Sequence, residues 1–276
     1  MQGPAPAQSP NFKAKRSNNS TPNESFKDDT LPEQKMTIES EDLKTMQRMK
    51  RSRTFEESQD RMGFIRKVLG ILTAQLVLTS LITFAPTYDA TLRLWLREHP
   101  SLLWTCFALT LATQCCILCV RELARKVPLN YILLLTFTLS ESYVVAFITT
   151  EYSPESVLMA AGMTAGVTIG LTVYAVRSEH DFTMAGGALF IIGAIFCTCG
   201  LMLAVCNVNR ESLVFMIYSA VAVLLFGFYL IYDIQLIIGG GRYELDDDEY
   251  IIGALIVYLD IIMLFIHILE LVGKKR

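Results

Sequence analysis

Four ionisable residues stand inside stretches that are otherwise strongly apolar: Glu141, Asp233, Asp260 and His267. Deep in a bilayer each such group costs roughly 2.5–3.5 kcal/mol on insertion scales, so each needs a reason. Asp233 and Asp260 carry the most chemistry. They sit on consecutive apolar stretches joined by Gly239-Gly240-Gly241 and the acidic run Glu244 to Glu249. At 1.5 Å per helical residue, Asp260 lies about 15 Å beyond Tyr250 and Asp233 about 9 Å before Gly239, so a modest axial offset brings them level. Two carboxylates sharing a low-dielectric site cannot both ionise cheaply, and the pair retains a proton that a lone aspartate would release. Such a pair senses pH. Once deprotonated it attracts a divalent cation, and calcium favours oxygen ligands of this kind, so Asp233 and Asp260 form a candidate transient calcium site. The competing reading is a proton-sharing hydrogen bond that only tethers two helices.

The remaining charges extend this site. Arg121 falls at the edge of an apolar stretch, on the side where Asp233 also lies, and an Arg121–Asp233 pair would act as a latch that weakens when Asp233 is protonated. The plainer reading of Arg121 is a positive anchor at the membrane surface. Glu141, between Ser140 and Ser142, is either a further carboxylate on an ion or proton pathway or a neutral acid bonded to a neighbouring helix. His267 follows Asp260 by seven residues and shares its helical face, where it either accepts a proton from the pair or points to the membrane surface. Gln75, Gln114 and Gln235 read as interhelical hydrogen-bonding groups, and Gly162, Gly166 and Gly170 as a close packing face.

The elements that must position these residues follow from hydropathy. Of 276 residues, 52% are hydrophobic and 18% charged, which leans towards a membrane protein. A net charge of −3 gives no support to nucleic-acid binding. Crossing a hydrocarbon core takes about 20 apolar residues. Seven stretches meet or approach this, near 66–86, 101–120, 129–150, 156–176, 184–206, 213–238 and 249–271. The predicted fold is therefore an all-α membrane protein, with a seven-helix transmembrane domain over 61–276. Residues 1–60, rich in Pro, Ser, Asn and Gln, cannot bury enough apolar surface to offset their ordering entropy, which predicts a disordered tail with at most a transient helix over Glu39–Glu57.

Lys and Arg set the orientation. Arg48, Lys50, Arg51, Arg53, Arg61, Arg66 and Lys67 precede the first span, and Arg121, Arg125 and Lys126 follow the second, so the N-terminus is expected in the cytosol. Seven full spans then put Lys274, Lys275 and Arg276 on the opposite side, against the rule; a re-entrant last segment is the alternative. Seven cysteines lie mostly in apolar runs with no histidine near them, and read as small apolar fillers rather than metal ligands. No cofactor is expected. Presenilin-type intramembrane proteases also use two helix-borne aspartates, but Val257-Tyr258-Leu259-Asp260 lacks their Gly-x-Gly-Asp and no proline follows Pro154, so the chain is not expected to be an enzyme.

Leu230-Ile231-Tyr232-Asp233-Ile234-Gln235-Leu236, Gly239-Gly240, Glu249-Tyr250 and Tyr258-Leu259-Asp260-Ile261-Ile262 closely resemble the signature of the lifeguard branch of the transmembrane Bax-inhibitor-motif family. Phe137-Thr138-Leu139-Ser140-Glu141 and Asp181-Phe182-Thr183 resemble it too, and the likeness runs from about residue 60 to the end. The resemblance implies a seven-helix bundle with the last helix central, a pH-sensitive calcium leak across intracellular membranes and suppression of cell death. It implies that Asp233 and Asp260 are the family's paired aspartates and Arg121 its latching arginine. Met263 stands where the family usually has Asn, and His267 is also a departure. The implied setting is the endoplasmic reticulum or Golgi, with the plasma membrane as an alternative. The implied partners are the bilayer, calcium as permeating ion, and apoptosis-regulating proteins. A non-conducting scaffold acting on such proteins is the rival function.

Overall fold

The computed structural model describes residues 31–206, 208, 209 and 212–276. The expected tail falls for residues 1–30 outside the described residues. From Leu31 the backbone is helical, including Glu39–Glu57, a stretch rich in the good helix formers Glu, Lys, Met, Gln and Arg. The chain divides into two compact units, Met1–Arg53 and Thr54–Arg276, and the second contains the membrane domain.

The elements are α1 (Leu31–Tyr88), α2 (Ala90–Glu98), α3 (Pro100–Cys119), α4 (Arg121–Arg125), α5 (Leu129–Thr149), α6 (Pro154–Arg177), a 3-10 turn (Phe182–Ala185), α7 (Gly186–Val205), α8 (Leu213–Ile238) and α9 (Tyr250–Val272). Among the described residues, seven helical segments are long and apolar enough to span a membrane: Ser58–Tyr88 within α1, α3, α5, α6, Phe182–Val205, α8 and α9. These match the stretches expected from hydropathy. Hydropathy did not foresee the short helices α2 and α4, which lie at the ends of spans. Local chemistry fixes the boundaries. Asp89, Ser153 and Ser212 accept hydrogen bonds from first-turn amides, and Pro100 and Pro154 occupy first-turn positions where a missing N–H costs nothing.

The last helix is central. In α9 72% of the apolar window is buried, against 6% in the span containing α7, so α9 is enclosed by protein and α7 faces outwards. Leu255, Tyr258 and Leu264 of α9 pack with Leu230 and Ile234 of α8, Phe137 of α5, and Phe64 and Val68 of α1 in one cluster. Lipid tails are as apolar as these side chains, so close packing rather than water exclusion holds them. Gly253 shows the tightness: a Cβ there would press on Val68, Ile237 and Leu245 at 3.3–3.4 Å.

Gly162, Gly166 and Gly170 correct an expectation. All three are exposed, and a Cβ added to any of them would meet nothing within 4 Å. The four-residue spacing guaranteed a common helical face, but that face is turned away from the bundle. The seven cysteines are free, and all but Cys106 are exposed on the outer surface of their helices or at their ends.

The C-terminal tail docks against the end of the bundle. At 23 residues, α9 is about 34 Å long, enough to cross a hydrocarbon core of about 30 Å. The tail beyond it pairs with the α5–α6 connection: Ser153 N donates to Lys274 O (2.9 Å), Arg276 N to Glu151 O (3.0 Å), and Tyr152 and Lys275 form an antiparallel bridge. Arg276 also donates to Thr87 O at 2.9 Å, while Arg97 joins Glu151 at 2.9 Å. The three terminal cations therefore lie at an end of the bundle that supplies Glu151, Glu155 and backbone carbonyls.

Candidate aspartate-pair site

Asp233 lies near the end of α8 and Asp260 towards the middle of α9, 7% and 5% exposed. Their carboxyl groups come within hydrogen-bonding range of each other. A carboxylate can only accept, so a bond between them requires a proton on one. Asp260 Oδ2 receives no hydrogen bond among the described residues. Leu230, Ile234, Val257 and Ile261, near the pair along their two helices, belong to the buried apolar core. Met263, three residues beyond Asp260, packs half-buried against the same cluster.

α8 ends where the chain must turn back. Gly239 and Gly240 adopt φ of 76° and 82°, which a side chain would resist, and Gly239 N closes the last turn on Gln235 O at 3.0 Å. A Cβ at Gly239 would also collide with the side chains of Arg61 and Glu244. Arg61, from the start of the first span, donates to the carbonyls of Leu236 (2.7 Å), Ile238 (3.2 Å) and Leu245 (2.6 Å). One guanidinium thus occupies the open carbonyls at the end of α8 and fixes the start of the loop above Asp233.

Arg121 is not at Asp233. Its Nη1 lies 3.5 Å from Glu249 Oε1, and its side chain is 71% exposed. Arg125 joins the same acidic loop, at 3.0 Å from Glu249, 2.7 Å from Asp246 and 3.2 Å from Asp248. The expected Arg121–Asp233 contact is therefore replaced by one with the loop that caps the pair. Arg121 starts its own short helix after a break at Val120, and that break leaves its side chain at the surface, among nearer acids.

Glu141 is buried on α5, against Thr110 of α3. Beside it runs a polar chain through the bundle: Thr79 Oγ1 lies 2.8 Å from both Ser142 Oγ and Tyr258 Oη, and Gln75 Nε2 donates to Thr138 Oγ1 at 3.0 Å. His267 is buried one to two turns nearer the C-terminus than Asp260 and turns to a different partner: its Nδ1 is 2.9 Å from Glu270 Oε2, which also accepts from Ser219 Oγ at 2.9 Å. Phe226 stacks on its ring, and Phe196 and Tyr218 meet it edge-on. Gln235 accepts from Phe182 N (2.7 Å) and donates to His180 O (2.9 Å), pinning the α6–α7 connection. At Gln114 no hydrogen bond forms among the described residues.

Sequence reading passed over Arg61, Arg125, Glu249 and Glu270. Charge placement counted the first two only as surface cations, and Glu249 entered only as the end of an acidic run and as part of the Glu249-Tyr250 signature, without a partner. The three-residue spacing of His267 and Glu270 was the available signal for the last. Among the described residues no group of three or more His, Cys, Asp and Glu is placed to hold a metal ion. The aspartate pair offers at most four oxygens, fewer than the six to eight of a resident calcium site, so it suits a passing ion better than a bound one.

A multi-pass helical bundle that buries a carboxyl pair between its last two helices defines the class. Residues 61–276 match the family model described as Inhibitor of apoptosis-promoting Bax1, and the chain belongs to that family. It is 37% identical over 226 residues to mouse Protein lifeguard 4, covering 78% of this chain and 87% of that protein. It is 28% identical to mouse and human Protein lifeguard 3, over 80% of this chain and 72% of each. These relatives support the lifeguard branch, a group of membrane proteins whose family description ties them to inhibition of apoptosis.

Proposed function

We propose that this protein is a pH-sensitive calcium leak channel of intracellular membranes, gated by Asp233 and Asp260, and that it suppresses apoptosis by modulating calcium stores. The contact between the two buried carboxyls is the observation that carries the reading. Sharing a proton, they hold α8 to α9. Losing it leaves two like charges in a low-dielectric site, which drives the helices apart and offers oxygens to a cation. Arg61, Arg121 and Arg125 hold the acidic loop over this pair, so the latch acts on the cap rather than on Asp233 itself. The N-terminus faces the cytosol in this reading, and the cap is the cytosolic gate.

Burial of the pair favours a second reading. Both carboxyls lie inside the bundle, 7% and 5% exposed, and a protein fixed in this state is a non-conducting scaffold that acts on apoptosis-regulating partners. Purified protein in liposomes separates the two. Asp233→Asn is expected to abolish the pH dependence of calcium flux and change the basal leak. An unchanged pH profile in that variant would contradict gating by the pair.

A further inference from the structure

Cys115, Cys116 and Cys119 crowd the end of α3, and all three are exposed. At 3.6 residues per turn they share an arc of about 100°, outside the buried stripe of Thr110, Thr113 and Ile117. Cys119 is the last residue of the helix, and the other two lie about 4.5–6 Å before it along the axis. Beyond Cys119 the apolar span breaks at Val120 and the chain turns cationic, with Arg121, Arg125 and Lys126 against the one acid Glu122. Three nucleophilic side chains therefore stand together where a span meets a basic membrane surface.

Geometry narrows what such thiols do. Exposed, they fill no gap in the bundle. On a helix, side chains three or four residues apart hold their Cβ atoms about 5–6 Å apart, and adjacent ones do not face each other. A disulfide needs Cβ atoms roughly 3.5–4.5 Å apart, so none joins these thiols while α3 stays helical. Among the described residues they are not part of any group placed to hold a metal ion. What remains is reaction with a partner that the membrane boundary itself supplies. A thiol at the edge of a span is within reach of water, and a chain attached to it runs straight into the bilayer.

We propose that Cys115, Cys116 and Cys119 form an S-acylation site for long-chain fatty acyl groups. The donor is an acyl-coenzyme A thioester. The cysteine sulfur attacks its carbonyl carbon, a new S–C bond forms, the donor's C–S bond breaks, and coenzyme A leaves as the thiol with the cysteine's proton. The site rests on the orientation given above, which puts the end of α3 in the cytosol with the donor. The acyl chain fixes the membrane depth of the break two residues before Arg121, from which that arginine reaches Glu249.

The topology supplies an internal control. Cys197, Cys199 and Cys206 are equally exposed on α7 or at its end, but α7 ends on the opposite side of the membrane in this orientation. The full chain is expressed in eukaryotic cells fed alkyne-bearing palmitic acid, purified, and coupled to a fluorescent azide. The parent is expected to carry label that neutral hydroxylamine removes, the signature of a thioester. The label is expected to be lost in the variant combining Cys115→Ser, Cys116→Ser and Cys119→Ser, and kept in the one combining Cys197→Ser, Cys199→Ser and Cys206→Ser. All six side chains are exposed, so both variants are expected to fold, and equal thermal unfolding in detergent checks this. An unlabelled parent, label that resists hydroxylamine, or label that persists in the α3 variant overturns the proposal. Label lost from the α7 variant instead also overturns it, and places the end of α7 on the donor's side. No readout uses calcium flux, so the channel reading stands or falls separately.

Discussion

Asp260 on α9 faces Asp233 on α8 across the packed interior, and Asp260 Oδ2 has no donor among the described residues to offset its burial. An acceptor left unpaired in a dry site normally costs stability. Here it sits against a second acid, an arrangement sensitive to one proton. The cap above the pair, the polar chain beside it and the packing around it each make a measurable claim.

Arg61 is the tie between the first span and the end of α8. Arg61→Ala leaves the carbonyls of Leu236, Ile238 and Leu245 without that donor, and is expected to cost about 1–3 kcal/mol. Thermal unfolding in detergent measures this, and amide exchange at Leu245 locates it. A variant as stable as the parent would show that water replaces the guanidinium without loss.

The Thr79 hydroxyl stands between Ser142 and Tyr258. Tyr258→Phe removes one partner and is expected to cost about 1 kcal/mol, whereas Thr79→Val leaves two buried hydroxyls short of a partner and costs more, about 1–3 kcal/mol. A double-mutant cycle is expected to give a non-additive pair. Additive losses would mean that the hydroxyls do not act together.

Gly166 faces outwards into open space. Gly166→Ala is expected to be neutral or to stabilise by up to about 1 kcal/mol, through helix propensity alone. A loss well beyond that on unfolding would place another surface against α6.

Asp181 ties two loops at the capped end. It accepts from Thr183 Oγ1 and N and from Arg242 N at 2.8 Å, and these bonds hold its carboxyl below the usual carboxylate range. A depressed value means the tie is complete above the ordinary aspartate pKa of about 3.9 and is lost as pH falls through the lower folded value. Amide exchange at Arg242, corrected for its intrinsic rate, is expected to stay slow at neutral pH and accelerate only in strong acid. In Asp181→Ala it is expected to be fast throughout. Equal protection in both proteins at neutral pH would remove this tie.

The spans were legible because each is a long apolar run and the bilayer allows its backbone little besides a helix. The meeting of Asp233 and Asp260 was legible for a related reason: a short turn forces two helices antiparallel, and counting from the turn fixes depth. Spacing does not say which way a helix face turns, so Gly162, Gly166 and Gly170 were assigned inwards and lie outwards. Of the two readings of Arg121, the latch on Asp233 is not formed, because its partner depends on a helix break at Val120 and on a folded-back loop, while its exposed side chain fits the surface anchor. His267 was placed on the face of Asp260 by periodicity, yet its side chain joins Glu270 inside an aromatic enclosure that no count along one helix reveals.

The central claim is that the carboxyl pair makes calcium passage depend on pH. The most direct measurement is calcium flux through the reconstituted full chain between about pH 6 and 8, where a carboxyl pair sharing a proton could titrate, beside Asp260→Asn. The account predicts a pH-dependent leak in the parent and a leak that no longer responds to pH in the variant. No flux in either protein at any pH would contradict it, and would leave the two aspartates as a hydrogen bond that fastens α8 to α9.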